Sequence, residues 1–334
     1  MQAQSPIGVL GAGSWGTALA IQLARSGRKT YLWGRDAAQI TALKENRQNK
    51  KYLPGAVFPD ALSPVADLNA VLADAHDLLV VAPSHAFRDV LEKLSAWKHA
   101  DRRLAWATKG LEEGSNKFPH EIAEEILGKG LPLAVLSGPT FAKEVGADLP
   151  TAITIAGERQ FAQDLANTLH NNTFRPYTSD DVIGVEIGGA VKNVIAIGAG
   201  ISDGLALGAN SRVALITRGL AEMMRLGIAL GGKQETFMGL AGMGDLVLTC
   251  TDDQSRNRRM GLLLAEGKSP REAQDIIEQV VEGVRVARAV RDIARQNKVE
   301  MPIVDQVCRV LYDSVPPGEA VGALLDRRLK EENH

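Results

Sequence analysis

The chain has 334 residues, 45% of them hydrophobic and 23% charged, and its 38 Lys and Arg against 40 Asp and Glu leave a formal net charge of -2. That length exceeds one comfortable hydrophobic core and predicts two domains, while the balanced charge excludes nucleic acid and a polybasic membrane surface as partners. Only Cys250 and Cys308 occur, far apart in sequence, which excludes a disulfide framework and fits a reducing, cytoplasmic setting.

The segment Met1 to Pro6 lacks the basic run and long apolar stretch of a secretory signal, and Ile7 to Leu10 reads as a strand directly after it. Short β-branched or apolar runs follow at Thr30 to Trp33, Leu78 to Val81, Leu104 to Ala107, Leu133 to Leu136 and Thr151 to Ile155, with Phe174 to Tyr177 as an edge strand. Between them lie helical patterns such as Ala18, Leu19 and Leu23, stopping at Gly27, and Phe87, Val90, Leu91 and Leu94. This alternation predicts an α/β fold: an N-terminal Rossmann-like doubly wound sheet over residues 1–180, followed by an all-α C-terminal domain over 181–334.

In that second half Val213, Ile216, Leu220, Met223, Met224 and Ile228 recur at helical spacing, and Ser269, Pro270 and Glu272 spell a capping box with proline at the first helical position. The stretch from Ile187 to Leu207 is apolar over a membrane-spanning length, yet it carries Lys192, Asn193, Asp203 and five glycines. Such charges are costly in lipid and such glycines suit close packing, so a buried helix without membrane insertion is expected, with the domain boundary at its start.

Gly11-Ala12-Gly13-Ser14-Trp15-Gly16 follows the first predicted strand and opens a predicted helix, matching G-x-G-x-x-G in the context that gives the pattern meaning. The first glycine allows the tight turn, the second lets backbone approach a pyrophosphate, and the third lets helix pack on strand. At the tip of the second strand the usual ribose-binding acid is replaced by Gly34-Arg35, and a guanidinium there suits a 2′-phosphate. Asp36 is read as the cap of the next helix, so the expected cofactor is NADP(H) in preference to NAD(H).

Residues just past the other strand ends form a second set, because open α/β sheets bind ligands there. Lys109 beside Gly110 can offer charge to a carbonyl or phosphate oxygen, and Gly138 and Thr140 supply open backbone and a hydroxyl. Lys192 among small apolar neighbours is costly unless it has a task, and a desolvated lysine suits proton exchange with an alcohol. Asp245, in Gly242-Met243-Gly244-Asp245, could orient it. Three arginines within Ser255-Arg256-Asn257-Arg258-Arg259 suit a phosphate. Each has a plainer alternative: a glycine-rich turn, solvated lysines and arginines, a turn aspartate. No metal site is expected.

Taken together, GAGSWGTALA from Gly11, ATKG from Ala107, SGPTFAKE from Ser137, EIGGAVKN from Glu186, GLAGMGD from Gly239 and SRN from Ser255 resemble the bacterial NAD(P)-dependent glycerol-3-phosphate dehydrogenase family, in the family's order. The resemblance implies that Lys192 is the proton carrier, with Lys109 and Asp245 beside it in catalysis. It implies that Lys109, Gly138, Thr140, Lys192, Asp245, Ser255, Arg256 and Asn257 hold glycerol 3-phosphate. By the same resemblance Ser14, Trp15, Arg35, Lys109, Ala142, Arg256, Val280 and Glu282 contact the cofactor, alongside Gly11, Gly13 and Gly16 of the motif. Asn193 and Thr249 resemble further active-site positions. A homodimer supplying glycerol 3-phosphate to phospholipid synthesis is the family expectation. Two rivals stand beside it: a related dehydrogenase acting on a 3-hydroxyacid or ketopantoate-like acid, and a non-catalytic NADP(H)-sensing module.

Overall fold

The computed structural model describes residues 5–97 and 99–328, so most of the segment Met1 to Pro6 lies outside the described residues. The chain divides into two compact units, Met1–Glu186 and Ile187–His334, and the dividing point falls inside the long helix Val182–Gly204.

In the first unit the strands are β1 (Ile7–Leu10), β2 (Thr30–Trp33), β3 (Gln48–Asn49), β4 (Leu53–Val57), β5 (Leu62–Val65), β6 (Asp77–Val80), β7 (Arg103–Trp106), β8 (Leu133–Ser137), β9 (Thr151–Gly157) and β10 (Phe174–Ser179). Eight form one sheet in the order β10-β9-β8-β7-β6-β1-β2-β5, and β3 and β4 make a separate hairpin. From β8 through β5 every pairing is parallel, and β1 and β6 are buried along their whole length, as expected for a sheet covered by helices on both faces. The chain leaves β1 toward β2 on one side and later returns to β6 on the other. The switch point of this doubly wound sheet therefore lies between β1 and β6.

Three features depart from the sequence expectation. β9 runs antiparallel to β8, and the connection between them carries only the short helix Ala142–Gly146. β5, with Pro64 inside it, was not expected as a strand; it lies at the sheet edge, where a missing N–H is tolerated. The β3–β4 hairpin was also unforeseen.

Among its described residues the second unit is helical throughout. Ser269 caps the helix Pro270–Ile277 with the expected reciprocal bonds to Glu272. The helix Gly208–Ala229 forms as expected; of the stripe read from the sequence Met223 is buried, Ile216, Leu220 and Met224 are half-buried and Val213 and Ile228 are exposed, while Gly219, Glu222, Leu226 and Gly227 join Met223 inside. Small residues set that face, since a Cβ on Gly227 would stand 1.9 Å from the Phe237 ring. Val182–Gly204 is long and apolar enough to cross a membrane, but its surface is consumed by the protein's own core. A Cβ on Gly200 would lie 2.0 Å from the Arg258 carbonyl oxygen, which shows how closely the neighbouring helix approaches.

Candidate active site

The first unit gathers its candidate residues at the carboxyl ends of the strands. Gly11 follows β1 with φ +133, and a Cβ there would stand 2.2 Å from the Val81 carbonyl oxygen just beyond β6. Gly16 lies in the helix Ser14–Arg25, and its Cβ would fall 1.9 Å from the Gly11 carbonyl oxygen. Between them Gly13 is exposed, with nothing within 4 Å of a Cβ position. Two glycines are thus required by packing, while the middle one faces open space at the N-terminus of a helix. That cradle fits a dinucleotide pyrophosphate. Ser14 and Trp15 form the helix's first turn, both half-buried.

Arg35 is exposed just past β2, and Asp36 caps the helix Ala37–Asn46, accepting from Ala38 N (2.9 Å) and Gln39 N (3.2 Å). Lys109 is half-buried beyond β7, in a loop held by the Thr108 hydroxyl on the Ala82 carbonyl (2.7 Å) and by the paired bonds of Arg88 to Glu112 (2.7 and 2.9 Å). Gly138 directly follows β8, and the Thr140 hydroxyl donates to its carbonyl (3.3 Å). Ala142 opens the short helix whose last carbonyls, Val145 and Gly146, accept from the Arg25 guanidinium at 2.8 and 2.7 Å.

At the foot of the Val182–Gly204 helix, buried Glu186 accepts from Trp106 Nε1 and the His120 backbone, both at 3.1 Å, and from His120 Nδ1. Burial holds the Glu186 carboxyl above its ordinary range. For His120, burial pulls its pKa down, but the Glu186 carboxylate outweighs this and leaves the ring raised.

The second unit holds the rest. Lys192 and Asp245 are almost wholly buried and ion-paired, and Lys192 Nζ also donates to the Thr249 hydroxyl (3.0 Å). Thr249 in turn donates to the Asp245 carbonyl (2.6 Å), one turn below it in the helix Asp245–Thr251, so carboxylate and hydroxyl meet the amine from one helix face. The segment leading into that helix, Leu240–Gly244, is π-helical, a form often found at functional positions. The tight approach has its own reason: a Cβ on Gly188 would lie 2.4 Å from the Ala241 carbonyl oxygen.

Ser255 caps the helix Arg256–Ala265, accepting from Arg258 N. Asn257 is buried, donating to Asn193 Oδ1 and accepting from Gly283 N, both at 2.8 Å. Arg256 donates to the Val280 carbonyl (2.8 Å); burial lowers its guanidinium pKa and nearby Glu282 opposes that. Arg256, Val280 and Glu282 are thereby brought together. Arg258 stands apart from them, committed to Asp203 (2.8 Å) and Asp253. Cys250 and Cys308 are buried thiols pushed up to about 12, which leaves them inert.

Sequence reasoning missed Asn49 and Gln39, whose side-chain amides both reach the Ala12 carbonyl inside the glycine turn. Asn49 sits in the unforeseen hairpin, so only the fold could reveal it.

A glycine cradle at a sheet's switch point, together with a buried lysine held by a carboxylate and a hydroxyl, defines a nicotinamide-dinucleotide-dependent oxidoreductase acting on a small molecule. Residues 6–163 match the model for the NAD-dependent glycerol-3-phosphate dehydrogenase N-terminus, and residues 181–322 match that for its C-terminus. The chain is 55% identical over 325 residues to glycerol-3-phosphate dehydrogenase (NAD(P)+) of Nitrosococcus oceani, covering 97% of this chain and 94% of that one. It is 55% identical over 328 residues to the enzyme of the same name in Serratia proteamaculans, covering 98% and 97%. The crystal structure of glycerol-3-phosphate dehydrogenase from Coxiella burnetii superposes with a TM-score of 0.93 at 50% identity, covering 97% of this chain and 99% of that one. The chain belongs to the NAD-dependent glycerol-3-phosphate dehydrogenase family. Neither an acid-specific dehydrogenase nor a non-catalytic sensor is favoured by these similarities.

Proposed function

We propose that the chain interconverts sn-glycerol 3-phosphate and dihydroxyacetone phosphate in the cytoplasm, supplying glycerol 3-phosphate for phospholipid synthesis. The observation that carries this reading is the Lys192–Asp245–Thr249 constellation, an amine buried among apolar helix neighbours yet fully provided with oxygen partners. In the reducing direction protonated Lys192 Nζ gives a proton to the substrate's C2 oxygen; in the oxidising direction the neutral amine takes the hydroxyl proton. Asp245 and Thr249 fix the amine in place and stabilise its charge. When bound, the nicotinamide dinucleotide supplies or accepts the hydride at C2.

Lys109, Gly138, Thr140, Ser255, Arg256 and Asn257 hold the substrate in this proposal, and its phosphate lets binding energy be spent on orienting C2. The glycine cradle, with Ser14, Trp15 and Ala142, holds the dinucleotide in this proposal, and Arg256, Val280 and Glu282 are further proposed contacts to it. Exposed Arg35, where an acid would favour NAD(H), supports a preference for NADP(H). The homodimer belongs to the same proposal and is checked by light scattering. A spectrophotometric assay with dihydroxyacetone phosphate, run with NADPH and NADH in parallel, tests the function. Turnover is expected with the phosphorylated ketone and not with dihydroxyacetone; equal turnover of both would overturn the phosphate assignment.

A further inference from the structure

The glycine turn depends on one carbonyl that the helix ladder does not use. The first ladder bond of Ser14–Arg25 runs from Thr17 N to the Gly13 carbonyl (3.0 Å), which leaves the Ala12 carbonyl outside it. Two side-chain amides take that carbonyl instead: Gln39 Nε2 at 2.8 Å and Asn49 Nδ2 at 3.1 Å. Asn49 is itself immobilised. It is buried, its amide nitrogen also donates to the Thr17 hydroxyl (2.8 Å), and its oxygen accepts from Tyr52 N (3.2 Å).

A peptide unit is planar and trans, so its N–H points opposite to its carbonyl. Holding the Ala12 oxygen on the side of Asn49 and Gln39 therefore turns the Gly13 N–H to the opposite side, and Gly13 itself is exposed. We infer that Asn49 and Gln39 are positioning residues for the dinucleotide, clamping the Ala12–Gly13 peptide so that its N–H is presented to the pyrophosphate before the cofactor arrives. This rests on the dinucleotide reading of the cradle. Gln39 lies in the first turn of the helix that begins beside Arg35, so one side chain links the pyrophosphate turn to the helix next to the proposed 2′-phosphate contact.

The test uses the full chain with Gln39→Met, which removes a half-exposed donor without adding charge, and Asn49→Asp, which sets an acceptor against the Ala12 oxygen. NADPH binding is followed by fluorescence titration, and binding of adenosine 2′-phosphate, which lacks the pyrophosphate, by NMR titration. Losing an oriented donor to a charged group is expected to weaken NADPH binding about tenfold in each variant, with KM following and kcat at saturating NADPH within about twofold. Adenosine 2′-phosphate affinity stays at the wild-type level. If folded Gln39→Met binds NADPH as the wild type does, or if both probes weaken in step, the clamp is not a positioning device. A wild-type chain that binds no dinucleotide would instead overturn the cofactor reading beneath it.

Discussion

Replacing Gly13 and Gly16 with alanine, one at a time, separates the ligand-facing part of the cradle from its packing part. At Gly16 the added Cβ would stand 1.9 Å from the Gly11 carbonyl oxygen, and the turn cannot yield freely because Gly11 is itself pressed against Val81. Alanine would otherwise gain about 1 kcal/mol over glycine within a helix. Overpacking of this kind typically costs ~1–3 kcal/mol, so a net loss at Gly16 means the steric conflict has exceeded that gain. At Gly13 the backbone angles, φ -79 and ψ -173, are open to alanine, and nothing lies within 4 Å of the Cβ. The fold then loses only the capping advantage of glycine over alanine, roughly 0.5–1 kcal/mol. The new methyl nevertheless occupies the space proposed for pyrophosphate. Urea unfolding and NADPH fluorescence titration should accordingly split the pair: Gly13→Ala keeps a near-native unfolding midpoint and loses affinity at least ~10-fold, about 1.4 kcal/mol. Gly16→Ala shifts the midpoint itself. Wild-type affinity in Gly13→Ala, or equal destabilisation by both, would refute the division of roles.

Three further perturbations probe buried polar groups. Burial pushes the Glu222 carboxyl from the ordinary range up to about 7, although Ile303 N and Val304 N donate to it. Its stabilising contribution is therefore complete below about pH 4.5 and lost as pH rises through about 7, by up to roughly 3 kcal/mol. Urea midpoints taken from pH 5 to 8 should fall in the wild type and stay flatter in Glu222→Gln; matching slopes would discard the assignment. Asp77 is buried between Arg28 and Arg103, and Asp77→Asn should cost about 3–5 kcal/mol in unfolding free energy because the buried Arg28 guanidinium loses its counter-charge, while Arg103 keeps Asp164. Asn257→Ala strands Asn193 Oδ1 and Gly283 N, so calorimetry should register a lower melting temperature, with a loss of about 2 kcal/mol, as well as weaker substrate binding. A change in KM alone would show that Asn257 has no structural part.

The glycine turn was legible in sequence because its meaning depends on local order, strand then turn then helix, and Asp36 and Ser269 were legible as caps for the same reason. The pairing of Lys192 with Asp245 was foreseen only as an option, since 53 residues separate the two and no local rule links them. Strand direction was hidden: β9 has the same composition whether it runs with β8 or against it. β5 carries Pro64, whose missing N–H is tolerated because the strand lies at the sheet edge. The apolar spacing from Val213 to Ile228 marked a helix, but not that Gly219 and Gly227 would join Met223 on its buried side, because close approach at a glycine leaves no hydrophobic signal. Asn49 and Gln39 carry no motif; their importance comes from a hairpin and a helix meeting one carbonyl.

The most direct measurement is the turnover of Lys192→Met with NADPH and dihydroxyacetone phosphate, made on protein shown by fluorescence titration to bind NADPH normally. Loss of the proton carrier should lower kcat by ~10²–10⁴. Retention of near wild-type kcat would contradict the assignment of the buried amine as the group that exchanges the proton.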